Sequence, residues 1–179
     1  AEPLRLGIAE TIETIDPVRM SQRGEKMVGV NLYEGLISYD PVSLDPRPGL
    51  AASWKVSDDA QVFSFKLRKG ATFHSGRPVT AEDVKYAWER NLDPSLKAPS
   101  GYLLDPIKGA AEKVQGEAAD VAGIEIVNPQ EIQVTLKHPD AGFLGRLGMP
   151  AFWVVDREAV QEAGTQFGKP GNAPAGTGP

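Results

Sequence analysis

Residues 50–93 read LAASWKVSDDAQVFSFKLRKGATFHSGRPVTAEDVKYAWERNLD. Trp54-Lys55-Val56 is a short alternating run, and Ser57-Asp58-Asp59-Ala60 offers the short polar side chains that bond their own backbone in turns. Phe63, Phe65 and Leu67 then alternate with Ser64, Lys66 and Arg68, the period of a half-buried strand. Two such runs about a short polar turn predict a β-hairpin. Lys69-Gly70 and Ser75-Gly76 mark two further turns around Phe73. Thr80, with Asp83 three residues on, has the form of a capping box. Val84, Ala87, Trp88 and Leu92 recur at helical spacing, so this helix turns one apolar stripe to the sheet. Pro94 ends it near Asp93. The hairpin, a third short extended run and the helix are expected to share a core of Trp54, Phe63, Phe65, Leu67, Phe73, Val84 and Trp88. No side chain in that core is chemically reactive, so the block reads as scaffold.

On the N-terminal side, Leu4–Ala9 alternates and predicts a strand, Glu10–Pro17 a loop, and Gly24–Gly35 a helix carrying Met27, Val28, Val30, Leu32 and Tyr33. Gly24 and Gly29 weigh against that helix by about 1 kcal/mol each if they are interior. Leu36–Tyr39 reads as extended and the proline-rich Asp40–Pro48 as a loop. On the C-terminal side, Asp93–Ser100 is a loop, and Gly109–Gln115 and Glu117–Val121 are two short helices. Ile124–Val127 and Ile132–Leu136 alternate about Asn128-Pro129-Gln130, a second hairpin. Ala141–Leu147 reads as a short helix ending at Gly148, and Phe152–Val155 as a buried strand. Asp156 caps a helix over Arg157–Ala163, which Gly164 stops. Gln166–Pro179 is glycine- and proline-rich loop. A compact domain seldom ends on such a turn, so the chain is expected to be the N-terminal portion of a longer protein.

A length of 179 residues allows one domain or two small ones. The net charge of −5 and the lack of a basic stripe argue against nucleic acid. The chain has no cysteine, which excludes disulfides, thiolate metal sites and a cysteine nucleophile. No apolar run reaches the length of a membrane span. The Ala-Glu-Pro start, followed at once by an extended run, fits a secretory protein after removal of its leader.

The search for chemistry returns little. The two histidines, His74 and His138, are far apart in sequence and neither has a second ligand at zinc-like spacing. Each sits in a predicted turn. No serine lies in a G-x-S-x-G elbow. Asp58-Asp59 and Glu82-Asp83 are adjacent in sequence and do not converge on one substrate atom; turn and cap roles explain them. The glycines at 168, 171, 176 and 178 lack the Gly-Lys-Ser/Thr of a phosphate loop. No enzyme, metal or cofactor is expected, and the remaining class is binding in a cleft.

NLYEGLISYDP (31–41), PGLAASWKVSDDAQVFSFKLRKGATFHSGRPVTAEDVKYAWER (48–90), GIEIVNPQEIQVTLKHP (123–139) and GTGP (176–179) carry a resemblance. In order and spacing they are similar to the family 5 solute-binding proteins of bacterial ABC importers, which bind peptides, nickel complexes and some oligosaccharides. The resemblance covers nearly the whole chain. It implies an α/β lobe of periplasmic-binding-protein type II with an inserted α+β subdomain. Residues 1–37 would be the first part of the lobe core, 38–153 the inserted subdomain, and 154–179 the second part of the core, cut short. In the family, GTGP leads into further strands, a second lobe and a return to the first.

The same resemblance implies a function. The protein would capture short peptides in the periplasm, or otherwise outside the cytoplasm, and deliver them to the membrane permease of an ABC importer. Two lobes would close about a hinge; a monomer is expected, with no cofactor. Met20, Ser21, Gln22 and Arg23 match the segment that lines the cleft in peptide-binding members and pairs its backbone with an extended ligand. Tyr102 matches an aromatic that faces the cleft from the inserted subdomain, and Met149 and Trp153 fall where the chain returns to the cleft wall. The residues themselves leave other roles open: a surface loop for Met20–Arg23, and core positions for Tyr102, Met149 and Trp153. Tyr33 and Glu34, within NLYEGL, read as structural. The stretch from Asp93-Pro94 to Gly109-Ala110 resembles the oligopeptide branch more than the nickel branch. A nickel-chelate or sugar receptor of the same family, and a sensor domain without transport, stay as alternatives. With half the cleft elsewhere, the 179-residue chain alone is expected to bind ligand weakly or not at all.

Overall fold

The hairpin and helix of residues 50–93 form as their sequence dictates in the computed structural model, which describes Gly7 and residues 9–178. The described elements are α1 (Arg23–Leu32), β1 (Ile37–Tyr39), β2 (Pro46–Pro48), β3 (Ala51–Val56), β4 (Val62–Leu67), α2 (Ala81–Asn91), α3 (Ala110–Val114), β5 (Ile124–Asn128), β6 (Glu131–Thr135) and α4 (Arg157–Ala163), with short 3-10 turns between them. β3 and β4 pair antiparallel with Trp54 opposite Phe65 and Val56 opposite Phe63. The turn between them is closed by Ser57, whose hydroxyl accepts from the Val62 amide at 2.9 Å, while Ala60 takes a left-handed φ of 53°. The second hairpin, β5–β6, adds to the other edge of β4, giving a four-stranded antiparallel sheet in the order β3-β4-β6-β5.

Register places Phe63 beside Val134 and Phe65 beside Ile132. These four side chains are fully buried, with the α2 stripe of Val84, Ala87 and Trp88 in the same core. Trp88 packs edge-on against Phe152, with ring centroids 5.2 Å apart, and its indole N–H donates to the Phe152 carbonyl at 3.1 Å. Trp54, expected in this core, is only half-buried against its margin.

Two buried ion clusters fix α2. At its start, the Asp83 carboxylate accepts from the Thr80 amide at 3.0 Å, completing the capping box, and from Arg77. Arg77 also reaches Asp156, the residue that caps α4. Further along the helix, Arg90 forms a two-pronged pair with the fully buried Asp16, both contacts at 2.6 Å. Its guanidinium stacks over the Phe167 ring. Single hydrogen bonds then stitch distant segments together: Ile15 N–H to Gly168 O at 2.7 Å, Val154 N–H to Glu34 O at 2.9 Å, Asp156 N–H to Ala175 O at 2.8 Å and Gly178 N–H to Leu32 O at 3.0 Å.

Several expectations are corrected. Residues 117–121 form no helix: Gly116 is left-handed, Glu117 N–H returns to Glu112 O, and the Val121 amide donates to the Glu89 carboxylate. Phe152–Val155 is buried but pairs in no ladder among the described residues. A 3-10 turn occupies Pro150–Phe152, and the extended residues after it make isolated bonds. Residues 141–147 hold only a 3-10 turn at Leu144–Arg146. Within the proline-rich loop, Pro46–Pro48 pairs with β1, an arrangement open to proline on an edge strand. The first helix ends at Leu32, three residues early, because Tyr33 is already extended. Of the expected strand Leu4–Ala9 all but Gly7 and Ala9 lie outside the described residues.

Candidate ligand-binding site

The start of α1 leaves one backbone edge open. Gln22 is extended, with φ −81° and ψ 152°. Its own N–H donates to Glu25 Oε2 at 3.0 Å, and its carbonyl accepts from Lys26 N–H at 3.3 Å. Glu25 Oε2 also accepts from the Ser21 amide at 2.9 Å. An extended residue turns its own N–H and C=O to one edge, and the flanking C=O and N–H to the other. The Ser21 carbonyl and the Arg23 N–H therefore share the opposite edge. Among the described residues neither has a hydrogen-bond partner. The Arg23 donor is one of the amides that a helix start leaves unpaired within the helix. The side chains of Ser21, Gln22 and Arg23 are exposed.

Met20 is buried, and its side chain meets Trp153 over Gly29. A Cβ at Gly29 would collide with both, which explains a glycine inside α1. Trp153 is buried as well; it stacks on Tyr33 with centroids 6.0 Å apart and donates from its indole to Gly148 O at 3.2 Å. Met149, four residues before it, is partly exposed. Tyr102 is exposed rather than core and lines a separate depression of about 430 Å³ with Asn91, Lys97 and Asp105. Of the seven residues singled out in the sequence, the fold thus joins Met20 to Trp153, keeps Ser21–Arg23 contiguous with Met20, and sets Tyr102 in a different hollow.

A second cavity, of about 350 Å³, lies between the end of α1, β1 and the Gly148–Trp153 segment. Tyr33, Tyr39 and Trp153 give it aromatic walls, and Glu34 gives it a carboxylate, which pairs with Arg68 at 3.2 Å. Burial raises the Tyr33 phenol far above its ordinary pKa, helped by the negative charge of Asp16, so this group stays neutral. Burial likewise raises the Tyr39 phenol, which donates to Gly145 O at 2.5 Å. Nothing in the sequence pointed to Tyr39, because its partner lies 106 residues away. Among the described residues no group of three His, Asp or Glu is placed to hold a metal ion, and no helix is long and apolar enough to cross a membrane.

Residues 45–179 match the family described as bacterial extracellular solute-binding proteins, family 5 Middle. The chain belongs to this family. The periplasmic oligopeptide-binding protein OppA of Escherichia coli (strain K12) is 32% identical over 164 residues, which cover 90% of this chain and 30% of OppA. The probable deoxycholate-binding periplasmic protein YgiS of the same strain is 31% identical over 163 residues, covering 89% of this chain and 30% of YgiS. The solved structure of the E. coli murein tripeptide binding protein MppA superposes with a TM-score of 0.84 at 32% identity, over 93% of this chain and 33% of that one. The family 5 chain described here therefore has the periplasmic-binding-protein-like fold over the part covered, and spans about a third of the length of these relatives.

Proposed function

We propose that this chain contributes to the ligand-binding lobe of an extracytoplasmic receptor that captures short peptides and hands them to the membrane permease of an ABC importer. The observation that carries the reading is the open edge formed by Ser21 C=O and Arg23 N–H. One ligand residue docks there in parallel register opposite Gln22, donating its N–H to Ser21 O and accepting from Arg23 N–H. Such pairing takes affinity from the ligand backbone and leaves its side chains unread. Met20 and Trp153 back the segment from within, Met149 presents exposed surface for a ligand side chain, and Tyr102 lines its own separate hollow. Residues 1–37 and 154–179 form the lobe core, and 38–153 the inserted subdomain; the hydrogen bonds Val154–Glu34 and Gly178–Leu32 support that partition. In this reading the protein is a monomer and a binder rather than an enzyme, and its net charge of −5 is in keeping with a partner other than nucleic acid.

A second reading, an amphipathic apolar ligand, is favoured by the relative named for deoxycholate and by the aromatic cavity at Tyr33, Tyr39 and Trp153. Calorimetry on the whole protein separates the two. Peptides of three to five residues and unrelated sequence are expected to bind alike, and to weaken when the ligand's paired amide is N-methylated. Deoxycholate binding with no response to any peptide would overturn the proposal.

A further inference from the structure

His74, which the sequence puts in a turn, lies exposed in the loop between β4 and α2 and makes three contacts with one distant segment. Its backbone N–H donates to Gly176 O at 2.9 Å. Its ring Nε2 lies 2.9 Å from Gly178 O, and its ring Nδ1 3.3 Å from Pro174 O. The three oxygens belong to alternate residues, Pro174, Gly176 and Gly178, of a segment that bends at Gly176. All three are backbone carbonyls and can only accept. A neutral imidazole donates from one nitrogen and carries a lone pair on the other; only the imidazolium donates from both. The contact is therefore complete in the protonated ring and opposed at one nitrogen in the neutral ring.

The segment held in this way is itself tightly placed. Gly178 N–H donates to Leu32 O at the end of α1, Ala175 O accepts from Asp156 N–H at the start of α4, and the Thr177 hydroxyl is buried without a partner among the described residues. Gly176 presses on Leu32 and Tyr33 so closely that a side chain there would collide with both.

We propose that His74 is a proton-operated clasp that fastens residues 174–178, and through them the ends of α1 and α4, to the loop before α2. Arg77, Asp156 and Tyr33 around it are displaced away from the histidine range, and Glu158 adds a carboxylate 3.9 Å from Arg77 at the start of α4. Residues 174–178 bring no ionisable side chain. On its own loop, Arg77 is held above its already high pKa by Asp83 and Asp156, against the opposing effect of burial. At the start of α4, burial would raise Asp156, but Ser75 and Arg77 hold it below the ordinary carboxylate range. At the end of α1, the Tyr33 phenol is raised by burial.

Hydrogen exchange on the whole protein tests the clasp between about pH 8 and about pH 5, where histidine side chains take up their second proton. After correction for intrinsic exchange, protection of the His74 and Gly178 amides is expected to rise about three- to tenfold as pH falls, the scale of one hydrogen bond gained. H74Q, a neutral side chain, should abolish the pH dependence. H74R, permanently charged with several donors, should hold the segment protected at both ends of the range. If neither variant folds, the ring-nitrogen NMR spectrum of the wild type decides: both nitrogens should carry exchange-protected protons at the acid end. A flat wild-type profile, an unchanged slope in H74Q, or a ring that exchanges freely at low pH would overturn the proposal.

Discussion

R23P removes a single atom from the open edge of the site. Arg23 is the first residue of α1, where proline is well tolerated because its missing N–H has no intrahelical partner. The residue before a proline must be extended, and Gln22, at ψ 152°, already is. The arginine side chain is exposed. Stability should therefore change by no more than about 0.5 kcal/mol, as for surface substitutions generally. Binding should not escape so lightly. The ligand carbonyl that accepted from Arg23 would face a pyrrolidine ring, losing its hydrogen bond and remaining partly desolvated, at a cost of about 1–3 kcal/mol. That corresponds to a Kd about 5- to 150-fold weaker. R23A keeps the N–H and discards the same side chain, so it should bind much as the wild type does. Urea titration and calorimetry on the whole protein read both quantities. Wild-type affinity in a well-folded R23P, or an R23A as weak as R23P, would refute backbone pairing at this edge.

Further outcomes follow from the buried clusters. D16A leaves the Arg90 guanidinium, 10% exposed, without its carboxylate and should cost about 3–5 kcal/mol in urea unfolding; D16A combined with R90M should cost less than D16A alone. W88A removes the ring that packs on Phe152 and should cost about 3–5 kcal/mol by the same assay. Because the Asp156 carboxyl is held below its ordinary pKa, its contribution is present above the unfolded value near 4 and disappears as pH falls through the folded one. The stability gap between wild type and D156N should be widest above about pH 4 and close on further acidification, which paired acid-unfolding curves would show.

What the sequence disclosed was local. The Thr80–Asp83 box, the Asp156 cap and both hairpins depend on residues a few positions apart, and they stand where their patterns put them. Where a distant group takes over, the pattern misleads. Residues 117–121 have helical composition, but the Glu89 carboxylate claims the Val121 amide. Phe152–Val155 has the apolarity of a strand but, among the described residues, finds no neighbour to ladder with. Gly29 weighs against a helix by propensity, but Met20 and Trp153 meet over it and leave no room for a side chain. The candidate site shows the same division. The role of Met20–Arg23 in the cleft is implied by the resemblance, and their open edge arises from a local cap built on Glu25. The Tyr39 wall, the burial of Trp153 and the exposure of Tyr102 depend on packing that no short window contains.

Backbone capture of peptides is tested most directly by what the whole protein carries from the cell. The protein would be purified without added ligand and denatured, and the released small molecules identified by mass spectrometry. A set of short peptides of mixed sequence is the predicted result. A single non-peptide solute, whether bile acid, metal chelate or sugar, would contradict it.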